Sequence, residues 1–523
     1  MKINKLFILT LAFLFSIKGS EAASISWMNN LRTIFTNNAA YIYTINMRTF
    51  GALDYNDNDI IELELGERKG TFLNAIEKLK NIQKAGANTI YLLPITKTGK
   101  LKALGTAGSL YALDSFDTLN PQLYDDSDFN TDDIKTQAKK FVEEAHKLNM
   151  HVIVDLPSCG SYDLWLERPE LFVKDKTEAA IPSDWTDVRV FKVYENDGKT
   201  LNRNLIKEHK AFIDLMQEIG FDGIRADVAA IKPKEFWMEI IKYARDKDPQ
   251  FLFLAEASPK WENPAKGFAP YATTEELLEA GFDGYYSDWA NLSEIKNAKD
   301  LESKIKEDEK IVNKFQGQKS YIYNFATHDQ VSPASYGYPY WQMVNWLNVT
   351  LPGNVYILDG FPMADTYLYR YQNKKADVSY TDDDTYFVHK GKMDIFNYSR
   401  APYSINKENP EYIPEYQDAV ALRYMMLPIL AKKETEFLST GDKSVFAYRK
   451  VNGGDSVLII GNLDPTNAIN TTIKVPKLEK NDFVMPFKMK EAPITKNGSL
   501  TVTLRPYEIQ VLVIKKVLNG AKF

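Results

Sequence analysis

Short apolar runs alternate with longer stretches of helical spacing along most of the chain. The runs are YIYTINMR (41–48), NTIYLLPI (88–95), HVIVDLP (151–157), GIRAD (223–227), FLFLAEA (251–257), DGYYSDW (283–289), YIYNFATHD (321–329) and NVYILDG (354–360), eight in all. Between them, Phe72, Ile76, Leu79 and Ile82 recur at spacings of four, three and three, and Ile134, Ala138, Phe141, Ala145 and Leu148 repeat that rhythm. These spacings predict amphipathic helices over 70–86 and 131–149. Apolar strands joined by such helices read as βα units, and eight units favour a closed (β/α)8 TIM barrel over an open sheet.

Two stretches break the rhythm. After the third strand, residues 158–206 carry Trp165, Trp185 and many charges before the next helical pattern begins. An insertion at the carboxyl end of a barrel strand is normally part of a binding surface. From 434 onwards the text changes to SVFAYRKV, an Asn-Gly-Gly turn, DSVLIIGNL, TTIKV and IQVLVIKK, which predicts an antiparallel β-sandwich domain. The expected organisation is a cleaved leader over 1–22, a barrel over 23–433 with its insertion at about 158–206, and a β domain over 434–523.

The leader follows from MKINKLFILTLAFLFSIKGSEAAS, in which Lys2 and Lys5 precede an apolar run and Ser20-Glu21-Ala22 supplies small residues for cleavage. That is a secretory signal in form, too short for a membrane span, and it predicts export to a periplasmic or extracellular space. The formal charge of −6 becomes −8 once Lys2, Lys5, Lys18 and Glu21 are removed, which argues against a nucleic-acid partner. Nothing after the leader predicts membrane association. A single cysteine excludes an internal disulfide framework. Thirty Tyr and twenty-eight Phe would suit a sugar-binding cleft, but core packing uses the same residues.

The segment GFDGIRADVAA (220–230) places Arg225 and Asp227 two residues apart, on one face of a strand whose flanks suggest burial. Asp155, Asp227, Glu256 and Asp329 all fall at predicted strand ends, with His328 beside the last. Each alone could simply meet water or cap a helix. Converging at one barrel mouth, four carboxylates repel one another, and an arginine among them partly offsets that cost. Such clusters mark catalytic or metal sites more often than structural ones.

At these residues the chain resembles the α-amylase family, glycoside hydrolase family 13. GFDGIRAD resembles the family's nucleophile strand, FLAEA its acid/base strand, FATHDQ its His-Asp segment and VIVDLP the segment that opens on an Asp. AGANTIYLLPI, LPGNVYILDG and the tail's LRPYEIQVLVI extend the likeness over the mature chain. The resemblance implies a retaining enzyme that cleaves α-glucosidic bonds through a covalent glycosyl-aspartate, with no organic cofactor. It casts Asp227 as nucleophile oriented by Arg225, and Glu256 as general acid and then base. Asp329, the third catalytic acid, would accept hydrogen bonds from sugar hydroxyls that tighten as the oxocarbenium ion forms; His328 would sit on the same ring, Tyr111 would stack on it, and Asp155 would line the same site. The substrate class implied is an α-glucan or maltooligosaccharide.

The pattern is broken in places. Where the family has Asn-His, four and five residues beyond its first Asp, this chain has Cys159 and Gly160. Where it often has Lys-His after the nucleophile, this chain has Ala230-Ile231 and then KPKEFW, and Thr327 replaces an Asn. KPKEFW and the Cys-bearing first segment are similar to the family's maltosyltransferase branch. A transglycosylase using the same intermediate is therefore one alternative, and a non-catalytic glucan-binding protein on the same scaffold is another. Cys159 reads as a packed small residue, since no partner for a nucleophile follows from the sequence.

LDYNDNDIIELE (53–64) sets oxygen ligands at alternate positions, namely Asp54, Asn56, Asn58, the Ile60 carbonyl and Glu62. That spacing can wrap a calcium ion, and one branch of the family has such a loop after its first strand. The plain alternative is an Asn/Asp-rich turn. A second segment, GFDGYYSD (281–288), echoes the first without its Arg, and reads Asp288 as a strand-end residue near the site.

Overall fold

Each of the eight apolar runs forms a short strand whose residues are nearly all buried. They are β1 Tyr41–Ile45, β2 Thr89–Leu92, β3 His151–Leu156, β4 Gly223–Ala226, β5 Leu252–Ala255, β6 Gly284–Ser287, β7 Ser320–Tyr323 and β8 Val355–Leu358. In this computed structural model the described residues are 30–53, 63–103, 109–126, 133–182, 185–261, 271–289, 292–330, 332–365, 412–478, 483–486, 494–496 and 498–515.

The strands pair in parallel in the order β7-β6-β5-β4-β3-β2-β1-β8. A bridge between Ile322 and Asn354 joins the two ends, and the Asn354 amide donates to the Tyr321 carbonyl at 2.9 Å. The Asn354 side chain completes the seam, donating to the Phe35 carbonyl and the Ser320 hydroxyl and accepting from Ala40 N–H. The closed barrel follows from runs that are apolar on both faces, because one face meets helices and the other fills the lumen. Ile42, Tyr91, Ile153, Leu254, Tyr286, Ile322 and Tyr356 form the inner cluster, while Tyr43, Ile90, Val152 and Val154 pack outward. Phe35, from a short helix before β1, plugs the amino-terminal end; a side chain at Gly284 would meet its ring at 2.4 Å.

The 131–149 pattern is one helix, Ile134–Lys147, capped by Asp133. The 70–86 pattern is two short helices, Phe72–Ile76 and Leu79–Lys84, split at Lys78, whose ammonium reaches back to the Phe50 carbonyl at 2.6 Å. The 158–206 segment contributes a helix, Tyr162–Glu167, two small two-stranded ribbons and several turns, and leads into the helix Arg203–Ile219.

Beyond the barrel, a five-stranded antiparallel sheet faces a three-stranded one. Val445, Ala447, Leu458, Ile460, Leu512 and Ile514 pack against Ile473, Leu500, Val502 and Leu504, giving a β-sandwich core. This sandwich rests on the barrel through a Thr350–Tyr448 hydroxyl contact of 2.7 Å and an edge-on Tyr340–Tyr507 pair. Among the described residues no helix is long and apolar enough to cross a membrane.

Candidate active site

Strand register brings the charged residues together. Asp155 on β3 is the direct neighbour of Arg225 on β4, which is the neighbour of Leu254 on β5. All three share the parity of the lumen-facing residues, so Asp227 and Glu256, two residues further along adjacent strands, occupy the next inward layer.

Arg225 is fully buried and touches all three acids. Its Nη1 donates to Asp155 Oδ1 at 2.9 Å and to Asp227 Oδ1 at 2.9 Å, and its Nη2 meets Glu256 Oε1 at 2.8 Å. The guanidinium also lies over the Tyr286 ring. Asp227 and Glu256 are therefore bridged by a single planar fork.

The other oxygen of Asp227 is held by one residue, Ser158, through its hydroxyl at 2.7 Å and its N–H at 3.1 Å. Glu256 Oε2 accepts from the Val228 N–H at 2.8 Å. Val228 adopts a left-handed conformation, φ 37° and ψ 52°. For a β-branched residue that costs on the order of 1–3 kcal/mol, and here it aims an amide at the acid. Burial chiefly, opposed by Arg225 and reinforced by the charges of Asp227 and Asp329, pushes the Glu256 carboxyl up to about 8. Burial likewise lifts Asp155 to about 6, although Arg225 pulls the other way.

Asp155 Oδ2 accepts from Tyr91 at 2.5 Å and Tyr111 at 2.7 Å. The Tyr111 hydroxyl also lies 2.8 Å from His328 Nε2, and the two rings stack at 5.6 Å. His328 Nε2 stands 3.2 Å from Asp329 Oδ2, whose side chain is 35% exposed. Asp155, Tyr111, Arg225, Asp227, Glu256, His328 and Asp329 are thus one connected group.

One expectation needs correction. Asp329 is not at a strand end: β7 stops at Tyr323, where the Asn324 side chain accepts from Trp289 N–H at 2.6 Å, and 324–330 form a turn-rich loop. Arg225 lies among the acids as expected, tying Asp155, Asp227 and Glu256. The proposed metal ligands Asp54, Asn56, Asn58, Ile60 and Glu62 lie outside the described residues, as does the leader. Among the described residues no group of three or more His, Cys, Asp or Glu is arranged to hold a metal. Asp288 is partly exposed and meets Lys260 at 3.5 Å and Lys304 at 4.0 Å.

The structure also accounts for the broken Asn-His pair. Cys159 is buried with Ala112, Val188 and Ile231, and burial pushes its thiol up to about 12, which leaves no thiolate at neutral pH. A side chain at Gly160 would meet the Phe172 ring at 2.6 Å and the Phe191 ring at 2.9 Å. Both rings come from the 158–206 insertion, which fills the space a histidine would need. Sequence reasoning missed Ser158, Tyr91, the Val228 amide and Lys232. Tyr91 could have been found from the lumen-facing parity of β2; the others depend on contacts between elements.

Comparison with known proteins supports this architecture. Residues 435–511 match the maltogenic amylase C-terminal domain. An α-1,4-glucan:maltose-1-phosphate maltosyltransferase from Bifidobacterium animalis subsp. lactis is 27% identical over 246 residues, 43% of this chain and 30% of that protein. The enzyme of the same name from Mycolicibacterium smegmatis is 30% identical over 209 residues, 36% of this chain and 28% of that protein. The matches thus span less than a third of the length of these two relatives. A maltogenic α-amylase from Thermotoga neapolitana superimposes with a TM-score of 0.65 at 20% identity, covering 94% of this chain and 100% of its own. An α-amylase from Lactobacillus plantarum gives 0.64 at 20% identity, covering 91% and 99%. The barrel with its C-terminal β domain is the amylase architecture, and the resemblance to the α-amylase family, with its maltosyltransferase likeness, is borne out.

Proposed function

We propose that this chain is an α-glucan-active enzyme of the α-amylase type, working by double displacement through a glycosyl-Asp227 ester. The observation that carries this reading is the shared guanidinium: Arg225 contacts Asp227 and Glu256 together, which keeps the two carboxyl groups near each other, and a retaining mechanism needs closely spaced carboxyl groups. Asp227 attacks the anomeric carbon while Glu256, protonated at neutral pH because of its raised pKa, gives its proton to the leaving oxygen. Once Asp227 is esterified its charge is gone, and one of the causes that hold the Glu256 proton disappears with it. Glu256 is then better suited to act as base towards the incoming hydroxyl. Asp329, His328 and Tyr111 are placed to bind the reacting sugar, and Asp155 holds Arg225 and Tyr111 in position.

Transfer to a sugar acceptor is the outcome we favour, because the relatives carry the name maltosyltransferase. Their name also makes maltose 1-phosphate a candidate donor beside maltooligosaccharides. Hydrolysis is the second reading, favoured by the names of the structural neighbours. Incubation with maltooligosaccharides, and separately with maltose 1-phosphate plus a glucan acceptor, distinguishes the two. Products longer than the substrate support transfer, and only shorter ones support hydrolysis. Asp227→Asn should lower turnover by about three orders of magnitude or more with the fold intact; equal activity in variant and parent ends the enzymatic reading. The same proposal includes export directed by residues 1–22 and a structural calcium in the 54–62 loop. A chelator should then lower Tm in the parent but not in Glu62→Ala.

A further inference from the structure

The lysine that follows the Ala230-Ile231 replacement turns inward. Lys232 is 1% exposed, and among the described residues no carboxylate lies within ion-pair distance of it. Its Nζ donates to the Ser158 carbonyl at 3.3 Å and sits 5.7 Å from the Trp237 ring centroid and 6.0 Å from that of Phe191. Around it stand Asp227, whose charge favours the ammonium, the buried thiol of Cys159, and His209, held neutral chiefly by its own burial. An ammonium buried without a counter-ion is a poor way to fill space, since desolvation penalises it and an apolar side chain would pack as well. The residue it grips is the one that grips the acid: Ser158 gives both its N–H and its hydroxyl to Asp227 Oδ2.

We propose that Lys232 is a positioning residue for Asp227. It holds the Ser158 carbonyl, which restrains the backbone at Ser158 and so helps align the two Ser158 donors on one oxygen of the acid. It also brings a second positive charge, after Arg225, towards a group that must stay ionised until it attacks. This inference rests on the reading of Asp227 as the nucleophile.

The test replaces Lys232 with Met, of similar length and no charge, and with Gln, which can still donate to the Ser158 carbonyl. Three quantities are measured: the single-turnover release of fluoride from α-maltosyl fluoride, steady-state kcat and KM on maltooligosaccharides, and Tm. Fluoride needs no proton to leave, so the first measurement isolates attack by Asp227. Lys232→Met should slow release and kcat by about tenfold or more, as expected for losing support of a charged hydrogen bond, with KM changed by less than about twofold. Its Tm should stay level or rise, because an unpaired buried charge has gone. Lys232→Gln should recover part of the rate. Ser158→Ala should be slow as well, and the double variant should be no slower than the slower single, since both act through one contact. Fluoride release at the parental rate in both lysine variants, or losses that follow a fall in Tm, overturns the inference alone. No fluoride release from the parent overturns the nucleophile reading, and this inference with it.

Discussion

Arg225 meets Glu256 at 2.8 Å through the nitrogen that does not touch Asp227. The two carboxyl groups thus flank one cation, and the proposed chemistry moves one negative charge between them. In that scheme Asp227 attacks as a carboxylate while Glu256 carries a proton. After attack, Asp227 is an ester and Glu256 is ionised. The guanidinium faces one neighbouring carboxylate throughout, besides Asp155, and need not move as the charge passes from one arm to the other. A lysine has no planar fork with which to span three acids. Arg225→Lys should therefore cost about a thousandfold in kcat. Arg225→Met, which leaves buried acids unpaired, should destabilise the fold by about 3–5 kcal/mol. Kinetics and thermal unfolding on the two variants check both figures.

The raised pKa of Glu256 should set the alkaline limit of the proposed reaction. With the carboxyl at about 8, the proton needed by the leaving group is present at neutral pH and is lost as pH climbs beyond that value. The rate of glycosyl transfer from maltooligosaccharides should fall through about that pH. Release of fluoride from α-maltosyl fluoride, which needs no general acid, should show no such limb in a single turnover. Coincident pH profiles for the two donors would remove Glu256 from its role as acid.

The same shift makes a prediction about stability. A carboxyl whose folded pKa lies above its ordinary 4.5 binds its proton more tightly in the native state. Its contribution to stability is complete below about pH 4.5 and is lost as pH rises through about 8. Glu256→Gln cannot lose that proton. The difference in Tm between variant and parent should be smallest near pH 5 and should grow in favour of the variant towards pH 8, reaching ~2 °C or more. Thermal scans across that range measure it. A difference independent of pH would mean that Glu256 titrates normally in the native protein.

Much of this site was legible because it obeys strand parity. The two-residue spacing of Arg225 and Asp227 placed both on one face, and the apolar runs located the strands that carry Asp155 and Glu256. What could not be read was set by register and by loops. That Ser158 grips Asp227 depends on β3 lying beside β4. That Lys232 turns inward to the Ser158 carbonyl depends on contacts between elements, and the left-handed Val228 before it is a conformation no β-branched residue advertises. The apolar run continues past β7 to Asp329 because Phe325 and Ala326 are apolar, and the structure buries both of them in a loop. The split of the 70–86 helix at Lys78 was invisible for a similar reason: the apolar spacing continues across the break.

Gly160 tests whether the missing Asn-His pair is a loss or a rearrangement. If the chain had merely lost the histidine that the family pattern has at this position, restoring it would improve the enzyme. The space is occupied, however, by the rings of Phe172 and Phe191, which pack on each other at 4.9 Å and would stand 2.6 and 2.9 Å from a new Cβ. Neither ring can yield cheaply, since both belong to the main core and Phe191 also packs against Phe116. Gly160→Ala should thus destabilise by about 1–3 kcal/mol, the usual cost of overpacking. Gly160→His should do so more severely and should lower activity rather than raise it. Gly160→His combined with Phe172→Ala should regain stability relative to Gly160→His alone, because the clash is removed at its source. A gain in kcat/KM for Gly160→His in the parental background would show that the pocket opens readily and that the two rings do not define it.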